Sequence, residues 1–260
     1  MNWTRKELKS AAKLDMRKNY WKTVFLSLVM LILSEITTYR VILEANEELP
    51  KTIRSVFQEI TSRVVDVKLV IVLITLSVSI VLLNTIMRIG ISVFLKNPIE
   101  VGAARFLLKT ADAGSEEEKG MVADMLYAFD HGYINVIKVL FFRELSILLR
   151  LLLLIVPGIV RMYQLRMLPY LLSKDSTMTT KEAMEVSREM MKGQKWKAFL
   201  LDMSFIPWHL LGILTLGVAE VLYVLPLMKL TGANLYNTLQ EVYIEKQSKI
   251  TDQADSAKEE

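Results

Sequence analysis

The chain of 260 residues and 29.8 kDa is 52% hydrophobic with a mean hydropathy of +0.34, yet 23% of its residues are charged. An apolar excess beside an ordinary charge count segregates the two populations along the chain, the pattern of a membrane protein rather than of a large soluble core. The absence of Cys excludes a disulfide framework, a thiolate nucleophile and thiolate-ligated metal, and His131 and His209 stand too far apart in sequence to suggest a metal site.

The amino-terminal stretch Met1–Lys18 is polar and helix-patterned, unlike a secretory n-region, and no small-residue cleavage site follows the apolar run after it, so the first span reads as retained. That span covers residues 20–39, with Tyr20, Trp21 and Tyr39 at aromatic-belt positions and Glu35 toward its far end. After Pro50, the residues Ile53, Val56, Phe57, Ile60, Val64 and Val67 recur at helical spacing and predict an amphipathic helix that extends the next span outward. The second span, residues 69–95, opens with Leu69–Met87, nineteen residues free of formal charge and long enough to cross a hydrocarbon core of about 30 Å. The run Gly114–Gly120, with Glu116, Glu117 and Glu118, reads as a solvated loop.

Residues 134–172 are apolar but carry Lys138, Arg143, Glu144, Arg150, Arg161 and Arg166. Pro157-Gly158 is expected to break this stretch into spans 134–156 and 158–172, because proline removes an i−4 hydrogen bond and displaces the residue before it from helical geometry. Thr179-Thr180-Lys181-Glu182 fits a capping box and Gly193 a helix stop, which predicts a short surface helix. Interface docking of residues 179–193 is favoured over coupling to a membrane or cytosolic protein partner. The last spans, 198–215 and 218–236, are joined by Leu216-Gly217, and residues 241–260 form a polar cytoplasmic tail, expected to be disordered from Lys246 to Glu260. The fold class expected is an all-α polytopic bundle of about six spans, in one membrane domain from 1 to 240.

Charge placement orients it. Of 32 Lys and Arg, 22 fall on one side of the six-span arrangement, whereas the five in residues 40–68 are matched by Glu44, Glu47, Glu48, Glu59 and Asp66. The positive-inside rule places both termini in the cytoplasm. The net charge of +4 and pI near 9.1 therefore reflect topology, and no nucleic-acid partner is expected; membrane lipids are.

Trp3-Thr4-Arg5 with Glu7-Leu8-Lys9, Asn19-Tyr20-Trp21, Asn97-Pro98-Ile99-Glu100-Val101-Gly102, Ile155-Val156-Pro157-Gly158-Ile159, Glu182-Ala183 leading to Met191-Lys192-Gly193, and Phe205-Ile206-Pro207-Trp208 together resemble the domain-of-unknown-function family 975 over nearly the whole chain. The resemblance implies a bacterial integral membrane protein, mostly found in firmicutes, located in the plasma membrane. It implies no catalytic, cofactor or metal residues.

The sequence contains no Walker loop, dinucleotide fingerprint, H-E-x-x-H or serine-nucleophile elbow, so no catalytic centre, cofactor or metal site is expected. What remains is an intramembrane charge cluster: Glu35, Arg143, Glu144, Arg150, Arg161 and Arg166, beside the break at Pro157 and Gly158. A lone charge at mid-bilayer costs at least about 2.5 kcal/mol on insertion scales, so these groups pair, snorkel or face water. Ion pairs that fix helix register are the favoured reading, with Glu35 facing Arg150 or Arg161. An anion or lipid-headgroup site made by the arginines is the alternative. His209 and Asp202, seven apart, read as interfacial polar residues rather than a proton relay. The function expected is a non-catalytic interaction, envelope-associated or lipid-handling role. A transporter or permease-like subunit is the runner-up, and an enzyme stands third.

Overall fold

The computed structural model describes residues 3–36, 55, 67–112 and 120–259; among them every regular element is helical. The predicted amphipathic helix after Pro50, the loop centred on Glu117 and the acids from Glu44 to Asp66 lie outside the described residues. The chain divides into two units, Met1–Val29 with Asn97–Glu260, and Met30–Lys96.

In the first unit, α1 (Arg5–Lys18) starts at a capping box: the Glu7 amide donates to Thr4 Oγ1 and the Thr4 amide to Glu7 Oε2. It buries Leu8, Ala12, Asp15 and Met16, a single face at i, i+4, i+7 and i+8. That face packs on the long terminal helix α12 (Leu225–Glu259), where Asn234 Nδ2 donates to the buried Asp15 carboxylate at 2.8 Å. The segment Tyr20–Val29 begins α2 (Tyr20–Ile36). At the centre is α4 (Asn97–Ala111), which touches α1, α5 (Met121–Asp130), α6 (Tyr133–Leu153), α8 (Leu168–Lys174) and α12. Small residues make this possible. Gly102, Ala103 and Ala104 are all buried, and a Cβ on Gly102 would lie 2.1 Å from the Met125 carbonyl oxygen of α5. A core of Val101, Ala128, Val136, Val139, Leu140, Leu165, Leu168 and Leu172 fills the space between these helices.

The central break corrects the sequence reading. The chain leaves α6 and enters α7 (Ile155–Gln164) at Leu154, whose backbone is extended at φ −159, ψ 140. The boundary is Leu154, not Pro157-Gly158. Pro157 occupies the first turn of α7, where amide hydrogens have no intrahelical acceptor and its missing N–H costs nothing. Gly158 serves the close approach of the two arms, since a Cβ there would meet Leu151 at 2.4 Å. From Gln164 the turn Leu165–Met167 leads into α8, and Asn135 at the start of α6 donates to the carbonyls of Ser176 and Met178, closing the base of the hairpin.

The helix α9 (Thr180–Met190) has the predicted capping box, with Thr179 and Glu182 exchanging hydrogen bonds, and it stops before Gly193 at φ +75. Short helices α10 (Lys195–Met203) and α11 (Ile206–Leu214) follow, separated by a single turn at Ser204-Phe205. The chain reverses at Leu216 (φ 52) and Gly217 (φ 89), then passes through a π-helical turn, Glu220–Val224, into α12. The tail also corrects the sequence reading. Residues 241–259 continue α12, supported by the i,i+4 pair Glu245–Lys249 at 2.8 Å, a spacing that stabilises a solvated helix without burial.

In the second unit, α3 (Val67–Ile91) is exposed throughout Ile71–Met87 and passes into a π-helical turn, Ser92–Lys96. Its polar side chains are satisfied from within: Thr75, Ser77, Ser79, Asn84 and Thr85 each donate to the carbonyl four residues earlier. A helix so arranged presents these side-chain donors already satisfied to an apolar surrounding.

Candidate functional site

Four of the six residues of the charge cluster singled out in the sequence, Arg143, Glu144, Arg150 and Arg161, fall on the α6–α7 hairpin, and the structure gives its arginines three different fates. Arg143 is locked. Its Nη1 and Nη2 donate to the two Glu100 oxygens of α4 at 3.1 and 3.0 Å, and Nη2 and Nε also reach Glu144 Oε1 at 2.7 and 3.1 Å. Two-pronged pairing of this kind fixes both direction and register between helices.

Arg150 is exposed, and no ion pair among the described residues includes it. Arg161 points back between the arms: Nε donates to Ser146 Oγ at 2.9 Å and Nη1 to Gln164 Oε1 at 3.2 Å, while Nη2 lies 4.0 Å from Met184 Sδ of α9. Its acceptors among the described residues are all neutral. Pro157 and Gly158 lie near the tip, between Leu154 and Arg161. Glu35 lies in α2, and its side chain falls outside the described residues, so its predicted pairing with Arg150 or Arg161 does too.

Arg166, in the turn after α7, donates through Nη1 and Nη2 to the two oxygens of Asp202 on α10 at 2.8 and 2.9 Å; Tyr163 adds a third bond to Asp202 at 2.8 Å. His209 Nδ1 lies 3.0 Å from Glu220 Oε1 across the Leu216 turn. Sequence reasoning places His209 and Asp202 on one face, too far apart to hydrogen-bond, and names the partner of neither. The signal was the turn itself: residues 209 and 220 lie on either side of the reversal at Leu216-Gly217, which brings them together.

Below these pairs the base is polar and closed. Asp124, buried on α5, receives Lys109 at 2.7 Å and Arg105 at 3.4 Å, while Arg105 also stacks over Tyr127 and donates to the Ser173 carbonyl. Lys9 of α1 donates to the Ser204 carbonyl and sits over the Phe205 ring, and burial beside Arg5 and Lys13 pushes its ammonium pKa down. Asp175 at the hairpin base is held below the usual carboxylate range by two hydrogen bonds from Thr177. Among the described residues no three His, Cys, Asp or Glu come together as a metal site. A shallow cleft of about 420 Å³ lies between α1 and α12, lined by Trp3, Glu7, Leu8, Asn234, Thr238 and Glu241.

Above the pairs, both hairpins end in bare apolar tips. Leu152 to Val156 are each 67–78% exposed, and Ile213, Leu214 and Leu216 are 72, 80 and 96% exposed. Soluble monomers rarely expose contiguous apolar surface of this kind without using it. Two helical stretches, Ile71–Ala111 and Lys195–Leu214, are long and apolar enough to cross a membrane.

Fold and site together define an all-helical protein with a charge-paired base, exposed apolar hairpin tips and helices of membrane-spanning length and composition. The chain belongs to the family described as proteins of unknown function (DUF975), whose model matches residues 1–242. No curated protein and no solved structure matches it.

Proposed function

We propose that the chain is a multi-pass protein of a bacterial cytoplasmic membrane and a non-catalytic component of it, serving in lipid handling, envelope association or interaction with other proteins. The observation that carries this is the division of one fold into a base whose charges are paired and tips whose apolar side chains stand bare. Water does not leave consecutive leucines bare in a stable monomer, since burying each contributes about 1.5–3 kcal/mol, whereas acyl chains cover them at no cost.

The six apolar segments of the sequence pair as three hairpins, each returning the chain to the side from which it came, with both termini cytoplasmic. The back-bonded polar groups of α3 and the closed base of the Tyr133–Lys174 hairpin support this arrangement. Pairing of Arg143 with Glu100 and of Arg166 with Asp202 supports a structural role for those charges over a hydrated transport path. The segment 179–193 packs on the hairpin through Met184 and Ser187, which favours a positioning role over a docking site for a protein partner.

Alkaline carbonate extraction of membranes from expressing cells tests the reading. Retention of the chain in the pellet is expected. Release into the supernatant would overturn the multi-pass assignment.

A further inference from the structure

Among the described residues, one cation held inside the α6–α7 hairpin has no counterion. Arg143 and Arg166 each grip a carboxylate with two N–H groups, but Arg161 is held by a hydroxyl, an amide oxygen and a thioether, and no ion pair among the described residues includes it. A guanidinium offers five N–H donors in a fixed fork, so these contacts orient Arg161 without saturating or neutralising it.

Two more arginines stand on the helices that hold it. Arg150 stands one helical turn beyond Ser146 on the same face of α6, and Arg188 one turn beyond Met184 on α9. Because Arg161 itself touches Ser146 and Met184, both arginines stand one turn from its contacts. Arg188 keeps only a loose contact with Glu185 at 3.8 Å, with both side chains more than half exposed. Three like charges from three helices around one notch repel each other unless an anion sits among them.

The depth of the notch identifies that anion. Arg161 lies seven residues along α7 from Leu154, about 10 Å at 1.5 Å per residue. Where α9 meets it, that helix exposes Glu182, Glu185 and Arg188, charges that belong in water or among headgroups, not in hydrocarbon. Beyond it, Leu151–Val156 are bare and apolar. A wedge of about 10 Å reaches about a third of the way through a 30 Å core, which is within one leaflet.

Resting on the membrane reading above, we propose that Arg161, with Arg150 and Arg188, clasps the phosphate of an anionic phospholipid in the leaflet into which the Leu154 tip dips. Arginine suits this ligand because its planar fork matches two phosphate oxygens. Arg150, four residues from Leu154, has a stem long enough to carry its head back to the phosphate level. The tip supplies the surface against which the acyl chains of the same lipid would lie, which favours a lipid over free phosphate.

The test uses the full chain in neutral maltoside micelles, offered phosphatidylglycerol, phosphatidylcholine or inorganic phosphate, with bound lipid counted by native mass spectrometry and the melting temperature followed alongside. Preferential retention of phosphatidylglycerol is expected, and Arg161→Gln should weaken it about fivefold, the worth of one basic group at an anionic surface, with phosphatidylcholine binding unchanged. Arg188→Gln, at an exposed position outside the core, should weaken it in the same direction and keeps the test open if Arg161→Gln does not fold. Equal phosphatidylglycerol binding by wild type and both variants would overturn the proposal, as would displacement of the lipid by millimolar inorganic phosphate, which would assign the notch to a free anion. A spin label on Leu154→Cys, clean in a chain without cysteine, should report oxygen access and exclusion of a water-soluble nickel chelate in phosphatidylglycerol vesicles. Free access of the chelate would overturn the insertion of the tip. Carbonate release of the chain would defeat the membrane reading itself, a failure separate from loss of lipid preference in a chain that stays embedded.

Discussion

Arg166 and Asp202 meet through two parallel N–H···O bonds of 2.8 and 2.9 Å, across 36 residues of sequence, and join the turn after α7 to α10. Their side chains are 23 and 28% exposed, between the fully buried pairs whose disruption costs about 3–5 kcal/mol and surface pairs worth about 0–1 kcal/mol. Asp202→Asn is therefore expected to cost about 1–3 kcal/mol in thermal or denaturant unfolding of the purified chain. The exchange Arg166→Asp with Asp202→Arg should recover part of that loss. A double variant no more stable than the worse single one would show that the pair does not act as a unit.

Gly102 sets the distance between α4 and α5. A Cβ there would lie 2.1 Å from the Met125 carbonyl oxygen and 2.7 Å from that of Asp124, both backbone atoms that no side-chain rotation can move. Gly102→Ala should force the helices apart, pull Lys109 and Arg105 from Asp124, and cost several kcal/mol, well beyond ordinary overpacking of about 1–3 kcal/mol. Gly90→Ala is the contrast, since a Cβ at that position would have nothing within 4 Å and the helical backbone favours alanine. Equal melting temperatures for the two variants would contradict the packing argument.

Local signals in the sequence suffice for the capping box at Thr179 and for the all-helical class, because cap chemistry and 3.6-residue periodicity are written within a few residues; the box at Thr4, with the same spacing to Glu7, goes unread. The partners of the charged groups are not legible in the same way. Glu100 pairs with Arg143 across 43 residues, and nothing near either residue marks the other, since only the packing of α4 against α6 brings them together. The break falls at Leu154, three residues before the proline that marks it in the sequence, for a related reason. A proline can end one helix or open the next, and here its fixed φ and missing N–H suit the first turn of the second arm. In the tail, low hydrophobicity points to disorder, but continuity with the packed part of α12 and i,i+4 charge pairing carry the helix onward.

Leu216 is the one non-glycine residue with positive φ among those described, at 52°, and it is 96% exposed. A left-handed backbone costs a branched-chain residue about 1–2 kcal/mol, and asparagine much less. The presence of leucine there fits an apolar tip that meets lipid. Leu216→Asn is expected to raise the melting temperature in detergent while lowering the fraction of chain inserted into membranes in a cell-free translation assay. Unchanged insertion with higher stability would leave the leucine without a membrane role.

Asp175 carries a pH signature. Its carboxylate accepts from the Thr177 amide at 2.9 Å and hydroxyl at 2.6 Å, which lowers its folded pKa from the ordinary 3.8. A carboxylate with a depressed folded pKa stabilises the fold above its unfolded value and loses that contribution as pH falls through the folded value. The Thr177 amide resonance should therefore titrate with a midpoint below 3.8, and the step should vanish in Asp175→Asn. A midpoint at or above the ordinary value would show that the turn is not formed.

Topology is the broadest consequence and rests on charge. Of the 32 Lys and Arg, 22 fall in or beside the segments before the first span, between the second and third, after the central hairpin and after the last span, while the segment 40–68 carries only five, matched by five acids. The positive-inside rule then places Lys181 and Gln253 in the cytoplasm and Glu47 outside. Because a hairpin returns to its starting side whether it crosses the bilayer or dips into one leaflet, these assignments do not depend on how deep Leu154 reaches. The chain has no cysteine, so single substitutions Glu47→Cys, Lys181→Cys and Gln253→Cys give unambiguous probes. In intact cells stripped of wall, an impermeant maleimide should label position 47 alone, and in inverted vesicles positions 181 and 253 but not 47. Labelling of 181 from outside would mean that residues 133–174 cross the membrane an odd number of times, which the hydrogen bonds from Asn135 to Ser176 and Met178 oppose by holding both ends of that hairpin at one level.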